Sequence, residues 1–200
     1  QMRPCIVPRK GKVFIASDWS SAEMVALAQI KLWMFGACPL AEMFQQGHDP
    51  HEVLGAALAG MSHEDFKAAR ASGDKAMNKY RQDAKAGNFG FAGGMGVSTF
   101  IKTNARQGNN FTEAEARDLR SVWMRTNDMS RYLDYFSRKS GAGPFTAKQW
   151  VTDRVRGACK YTDGCNTGFQ GLVADSMAYA VWLVTRACYN PNSALYGSRL

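Results

Sequence analysis

The sequence predicts a predominantly helical α+β fold, and three observations carry that expectation. Apolar residues recur at three- and four-residue spacings over most of the chain, in stretches that open on Ser, Thr or Asp and close on Gly. Strand-like runs are confined to residues 12–17 and 145–161, towards the two ends. Hydrophobic residues at 46% and charged residues at 21% over 200 positions suit one ordinary domain with a real core, and exclude disorder for most of the length.

The elements follow in order. Residues 12–17, K-V-F-I-A-S, read as a short strand that gives way at Asp18 to a helix marked by Ala22, Val25, Ala26, Gln29, Ile30 and Trp33. Residues 47–60 read as a second helix, with Asp49 as N-cap, Pro50 at the first position where its missing N–H costs nothing, and Gly60 as the stop. A short helix over 62–71 precedes a longer one from Asp74 to about Phe91, which ends at Gly93, Gly94 and Gly96. Thr112 and Glu115 form a capping box that opens one long amphipathic helix, with Leu119, Val122, Trp123, Met129, Leu133 and Phe136 on one side. Gly141 and Pro144 close it. Residues 145–161 suit two short strands carrying exposed cations, and 170–188 a mostly apolar helix. There is no internal repeat, linker or low-complexity segment.

With 25 Lys and Arg against 17 Asp and Glu, the chain carries +8, which favours a polyanionic partner. No run approaches the roughly 18 apolar residues that cross a bilayer, and the first residues lack an apolar leader, so a soluble, cytoplasmic protein with no membrane partner is expected. Five scattered cysteines without a C-x-x-C pair are expected to be reduced thiols.

Two constellations could carry chemistry. Asp18-Trp19-Ser20-Ser21-Ala22-Glu23 places one carboxylate at a strand end and another in the next helical turn; the same residues also read as a turn and a Ser20–Glu23 capping box. Arg81, Lys85 and Phe89 stand at i, i+4 and i+8 on one helix, putting two cations and an aromatic ring on one stripe. Such a stripe suits a triphosphate beside a sugar or base, and it equally describes a solvated basic face with Phe89 in the core. His51 lies in the first turn of a capped helix, where N–H groups and the positive dipole end favour a phosphate. No G-x-x-x-x-G-K-[ST], no dinucleotide fingerprint, no Ser-His-Asp signature and no zinc ligand set is present.

Taken together, these blocks resemble the polymerase region of family A, polymerase I-like DNA polymerases of the phage or prophage kind. Residues 18–23 are similar to motif A, D-x-S-x-x-E. Residues 81–94, R-Q-D-A-K-A-G-N-F-G-F-A-G-G, are similar to motif B, R-x-x-x-K-x-x-x-F-G-x-x-Y-G. Residues 166–175, N-T-G-F-Q-G-L-V-A-D, are similar to the N-T-x-x-Q-G-x-x-A-D block before motif C, and Asp49-Pro50-His51 to the intervening D-x-H element.

The resemblance implies DNA-directed DNA synthesis by two-metal nucleotidyl transfer in a right-hand polymerase fold. It divides the chain into a palm part (1–35), mostly fingers (36–165) and a palm helix (166–200). Asp18 would hold two Mg²⁺ ions, and Glu23 would gate the sugar 2′ position. His51, Arg81 and Lys85 would hold the deoxynucleoside triphosphate, Lys85 would also assist the leaving pyrophosphate, and Phe89 would stack near the incoming sugar and base. Asn166 and Gln170 would touch primer-template DNA, with Arg154 and Arg156 on its backbone. The fingers helix would swing to close over the nucleotide.

The departures are specific. Gly93 stands where the family has a tyrosine, Met24 and Val25 replace the usual Leu-Arg of motif A, and 62–71 looks inserted. No His-Asp-Glu follows the N-T-x-x-Q-G block before Leu200. The expectation is therefore a fragment of a longer polymerase, a fingers subdomain with an incomplete palm, inactive alone, for which the missing palm segment is a candidate partner in trans. The alternative is a non-catalytic nucleotide- or nucleic-acid-binding module derived from such an enzyme, or one part of a split polymerase.

Overall fold

Helix-forming punctuation decides most of the architecture in the computed structural model, which describes residues 7–199. Helix α1 (Ala22–Phe35) ends on Gly36, whose positive φ of 77° closes the turn without a Cβ clash. Helix α2 (Pro39–Gln45) starts on proline. Asp49 caps α3 (Pro50–Ala59) by accepting from the His51 N–H, and Ser62 caps α4 (His63–Ala71) through the Asp65 N–H. Asp74 caps α5 (Lys75–Ala92) through the Ala76 and Met77 N–H groups. Helix α6 (Val97–Ala105) follows the glycine cluster. The Thr112–Glu115 capping box opens α7 (Glu113–Thr126), and α8 (Ser130–Gly141) follows. Strands β1 (Phe145–Lys148) and β2 (Val155–Cys159) pair antiparallel in a two-stranded sheet, and the chain continues into the 29-residue α9 (Tyr161–Tyr189). The fold is mostly helical with one small sheet, and no helix among the described residues is long and apolar enough to cross a membrane.

The core lies where α5 packs along α3 and α7, and α1 along α9. Phe91 stacks on Phe100 at 4.4 Å and meets Trp123 at 5.6 Å between ring centroids, joining α5, α6 and α7. Tyr132 of α8 donates its hydroxyl to the Cys165 carbonyl of α9 at 2.6 Å. Cys38, Cys159, Cys165 and Cys188 are free and buried, while Cys5 lies outside the described residues.

Five expectations are corrected. Residues 12–17 form no strand: Val13 is 80% and Ile15 85% exposed, and no strand lies alongside among the described residues, so a ladder would leave their backbone groups unpaired. The Ser20–Glu23 capping box does not form, because Ser21 takes the cap position at φ 53° with no side-chain bond. The buried face of α1 is Met24, Ala26, Leu27, Ala28, Ile30 and Lys31, so Ala26 and Ile30 of the expected stripe are in the core, whereas Val25 and Trp33 point outward. The long helix expected after Thr112 is two helices, broken at Asn127 and Asp128, where Asp128 takes φ 46°. Lys31 caps this break from the other side of the core, its buried ammonium donating to the Asn127 carbonyl and, at 2.8 Å, to that of Asp128. Finally, α9 begins at Tyr161, well before Gln170, and its second half leaves Met177, Tyr179, Val181, Trp182, Leu183 and Val184 exposed.

Candidate nucleotide and nucleic-acid site

The first cluster grows from the N-terminus of α3. Asp49 Oδ1 accepts from the His51 N–H at 2.8 Å, as an N-cap should, and Oδ2 accepts from Arg81 Nη2 at 2.6 Å and Nε at 3.2 Å. Burial opposes the charge on Asp49, but the hydrogen bonds from Arg81 and from the His51 N–H outweigh it and hold its carboxyl below the usual range. His51 is buried and its pKa is pushed down, first by burial and further by Arg81 and Lys85, against the opposing pull of Asp49. The imidazole is therefore neutral at physiological pH, a donor through one nitrogen only.

Arg81, Lys85 and Phe89 share α5 as the spacing requires, but they do not share a fate. Arg81 is committed to Asp49. Lys85 is exposed and makes no ion pair among the described residues. Phe89 is 46% exposed and sits 5.5 Å from the His51 ring, which corrects the reading of this residue as core; Phe91 takes that place at 1% exposure. Lys85 and Phe89, with Gln82, Met95 and Asn104, line an open cavity of about 470 Å³ between α5 and α6. An exposed ammonium beside an exposed ring and a neutral imidazole is a competent surface for an anionic group carried on a flat ring.

The second cluster is a groove of about 370 Å³ between the sheet and α9, where Arg154, Arg156, Asn166 and Gln170 all meet. Both arginines are paired, Arg154 with Asp175 at 2.9 Å and Arg156 with Asp163 at 2.5 Å, although each remains about half exposed. The second cluster reaches the C-terminal end of α5 through Asn166, whose Nδ2 donates to the Gly93 carbonyl at 3.3 Å and to the Thr162 carbonyl at 2.9 Å. A Cβ at Gly93 would lie 2.6 Å from Asn166 Nδ2, so the missing side chain is what lets α9 reach the end of α5.

The motif A residues stand apart. Asp18 is exposed in a stretch without regular secondary structure and Glu23 is half-buried in the first turn of α1, and no hydrogen bond or ion pair links either to the α5 cations among the described residues. Two divalent ions need carboxylates on both sides. No three of His, Cys, Asp and Glu gather into a metal cage among the described residues, and Asp18 brings a single carboxylate, so these donors alone do not fit an ion pair.

Several residues of these clusters escape sequence reasoning. Asn88 is a buried polar side chain against His51 with Asn127 buried behind it, and Gln149, just after β1, reaches α9 with its Nε2 on the Thr167 carbonyl while Oε1 is buried without a partner among the described residues. The signal for Asn88 was present, a lone amide inside an otherwise apolar helix face between Gly87 and Phe91. Comparison with known proteins finds no matching family model and no matching curated protein.

Proposed function

We propose that this chain carries the nucleotide-binding face of a template-directed nucleotidyl transferase of the family A DNA polymerase type, taking deoxynucleoside triphosphates and primer-template DNA. The observation that supports the reading is the meeting of His51 and Phe89, 38 positions apart in sequence, beside the exposed ammonium of Lys85. In this reading Lys85 and His51 bind the triphosphate, Arg81 joins them by exchanging Asp49 for phosphate, and Phe89 supports the sugar and base. The groove of Arg154, Arg156, Asn166 and Gln170 takes the primer-template. Asp18 and Glu23 keep their roles as metal carboxylate and sugar gate only with a second carboxylate-bearing palm segment. Work on DNA in the host cytoplasm suits the +8 charge.

The test is an equilibrium titration of the purified chain with a fluorescent deoxyadenosine triphosphate. Binding should weaken at least tenfold in Lys85→Ala and fall with rising salt. Duplex DNA binding with no response to the triphosphate would favour the non-catalytic module, and absence of both would end the proposal. Primer extension by the chain alone should be undetectable, since Asp18 offers one carboxylate where the reaction needs two.

A further inference from the structure

We propose that Asn88 is a positioning residue for His51: its side-chain amide donates to Nδ1 and so fixes the imidazole as the Nε2–H tautomer, presenting a neutral N–H donor to a phosphate oxygen. The proposal rests on the triphosphate reading for its ligand, but the tautomer stands on geometry alone.

Asn88 is fully buried, and its Nδ2 lies 2.9 Å from His51 Nδ1 and 3.3 Å from the Pro50 carbonyl oxygen. Its Oδ1 accepts from Asn127 Nδ2 at 3.3 Å. The Pro50 carbonyl decides which way the amide points. A backbone carbonyl only accepts, so the atom facing Pro50 must be the NH₂ group. Reversing the amide would set Oδ1 against the Pro50 oxygen, whereas Asn127, whose own Oδ1 is buried without a partner among the described residues, could present either end of its amide. With NH₂ facing it, Nδ1 must be the ring's acceptor, and the single proton of a neutral imidazole is left on Nε2. The backbone at Asn127 is held, because its carbonyl takes the buried ammonium of Lys31. The chain Lys31, Asn127, Asn88, His51 thus runs from α1 through the α7–α8 break and α5 to the first turn of α3, and each link supports the next.

The arrangement has a chemical consequence at the ligand. An Nδ1–H tautomer would turn a lone pair at Nε2 towards the anion and repel it, so Asn88 selects attraction over repulsion without charging a buried ring.

Two-bond ¹H–¹⁵N correlation spectra of the histidine-labelled chain read the tautomer directly, with His51 assigned by its loss in His51→Gln. The wild type should show Nε2 protonated and Nδ1 bare from neutral pH downward to the onset of protonation. Asn88→Asp, nearly isosteric, replaces the donor by an acceptor and should move the proton to Nδ1 while weakening deoxyadenosine triphosphate binding tenfold or more. An Nδ1–H or mixed tautomer in the wild type overturns the proposal without any variant having to fold. Undiminished binding by Asn88→Asp with its tautomer reversed also overturns it. An Nε2–H tautomer in a wild-type chain that binds no triphosphate upholds Asn88's role and removes the nucleotide reading instead.

Discussion

Arg81 and Asp49 form a two-point ion pair, Nη2 at 2.6 Å and Nε at 3.2 Å from one carboxylate oxygen, that ties the middle of the chain's cationic helix to the cap of its neighbour. The same guanidinium therefore serves the fold and the proposed ligand. Lys85, one turn on, is exposed and makes no ion pair among the described residues, so in the proposed reading it serves the ligand alone.

The first prediction separates those duties. Arg81→Ala should weaken triphosphate binding and also destabilise the chain by about 2 kcal/mol, because it strips a partly buried carboxylate of its partner. Lys85→Ala should leave stability within about 0.5 kcal/mol of wild type, as exposed substitutions do, while costing the same order of affinity. Urea unfolding beside nucleotide titration on both variants checks it; equal stability losses would remove the distinction.

A second prediction concerns acid. Since the folded pKa of His51 lies below its ordinary 6.5, the unfolded chain takes up the proton first, and stability should begin to fall as pH drops through about 6.5. Asp49 is likewise lowered from 3.8, so its contribution is present above that value and is lost further down. The groups facing His51 are Asp49, Arg81 and Lys85. His51→Gln should abolish the upper step of the stability-against-pH curve and spare the lower one.

Lys31 supplies the third. Lys31→Ala leaves the Asn127 and Asp128 carbonyls without their donor, together with a cavity, and should cost about 3 kcal/mol or more. Burial pushes the Lys31 ammonium below its usual range, and the nearby Cys38 and Asp128 only partly restore it. Lys31→Met retains the stem's volume and should lose less. Denaturant midpoints of the two variants give the comparison.

Gly93 is the fourth. Placing at 93 the tyrosine that the resemblance leads one to expect should destabilise by about 1–3 kcal/mol, since a Cβ there already crowds Asn166. Asn166→Gly in the same chain should recover part of the loss, a coupling that independent sites would not display. Melting curves of the two singles and the double decide it.

What the sequence made legible was short in range. Asp49, Ser62, Asp74 and Thr112 cap helices through groups two or three residues away, so their positions could be read directly. The α7–α8 break could not, because the amine that satisfies its carbonyls comes from Lys31, 96 residues earlier. The face of α1 was legible only in part: Ala26 and Ile30 are buried as their spacing suggests, but Trp33 is apolar yet turned outward, 6.3 Å from Trp150, and no periodicity tells how far round an apolar helix the core will extend. At the candidate site the stripe of Arg81, Lys85 and Phe89 was visible as a spacing. Its division into a tethered cation and an exposed one was not, since Asp49 reaches Arg81 across 32 positions.

Helix α9 joins two physical regimes in one unbroken backbone. Its first turns are clamped by Gly164, Cys165 and Phe169 in the core, whereas the stretch around Tyr179 and Trp182 is held by its own neighbours, a 5.6 Å ring stack and the Arg186 guanidinium 4.7 Å over the indole. Amide hydrogens in the first half can exchange with solvent only when the domain opens, while those beyond Ser176 need only a local fraying of a few turns. Protection should therefore descend along the helix axis, with a small rise at Cys188, where the Gly197 N–H docks on its carbonyl.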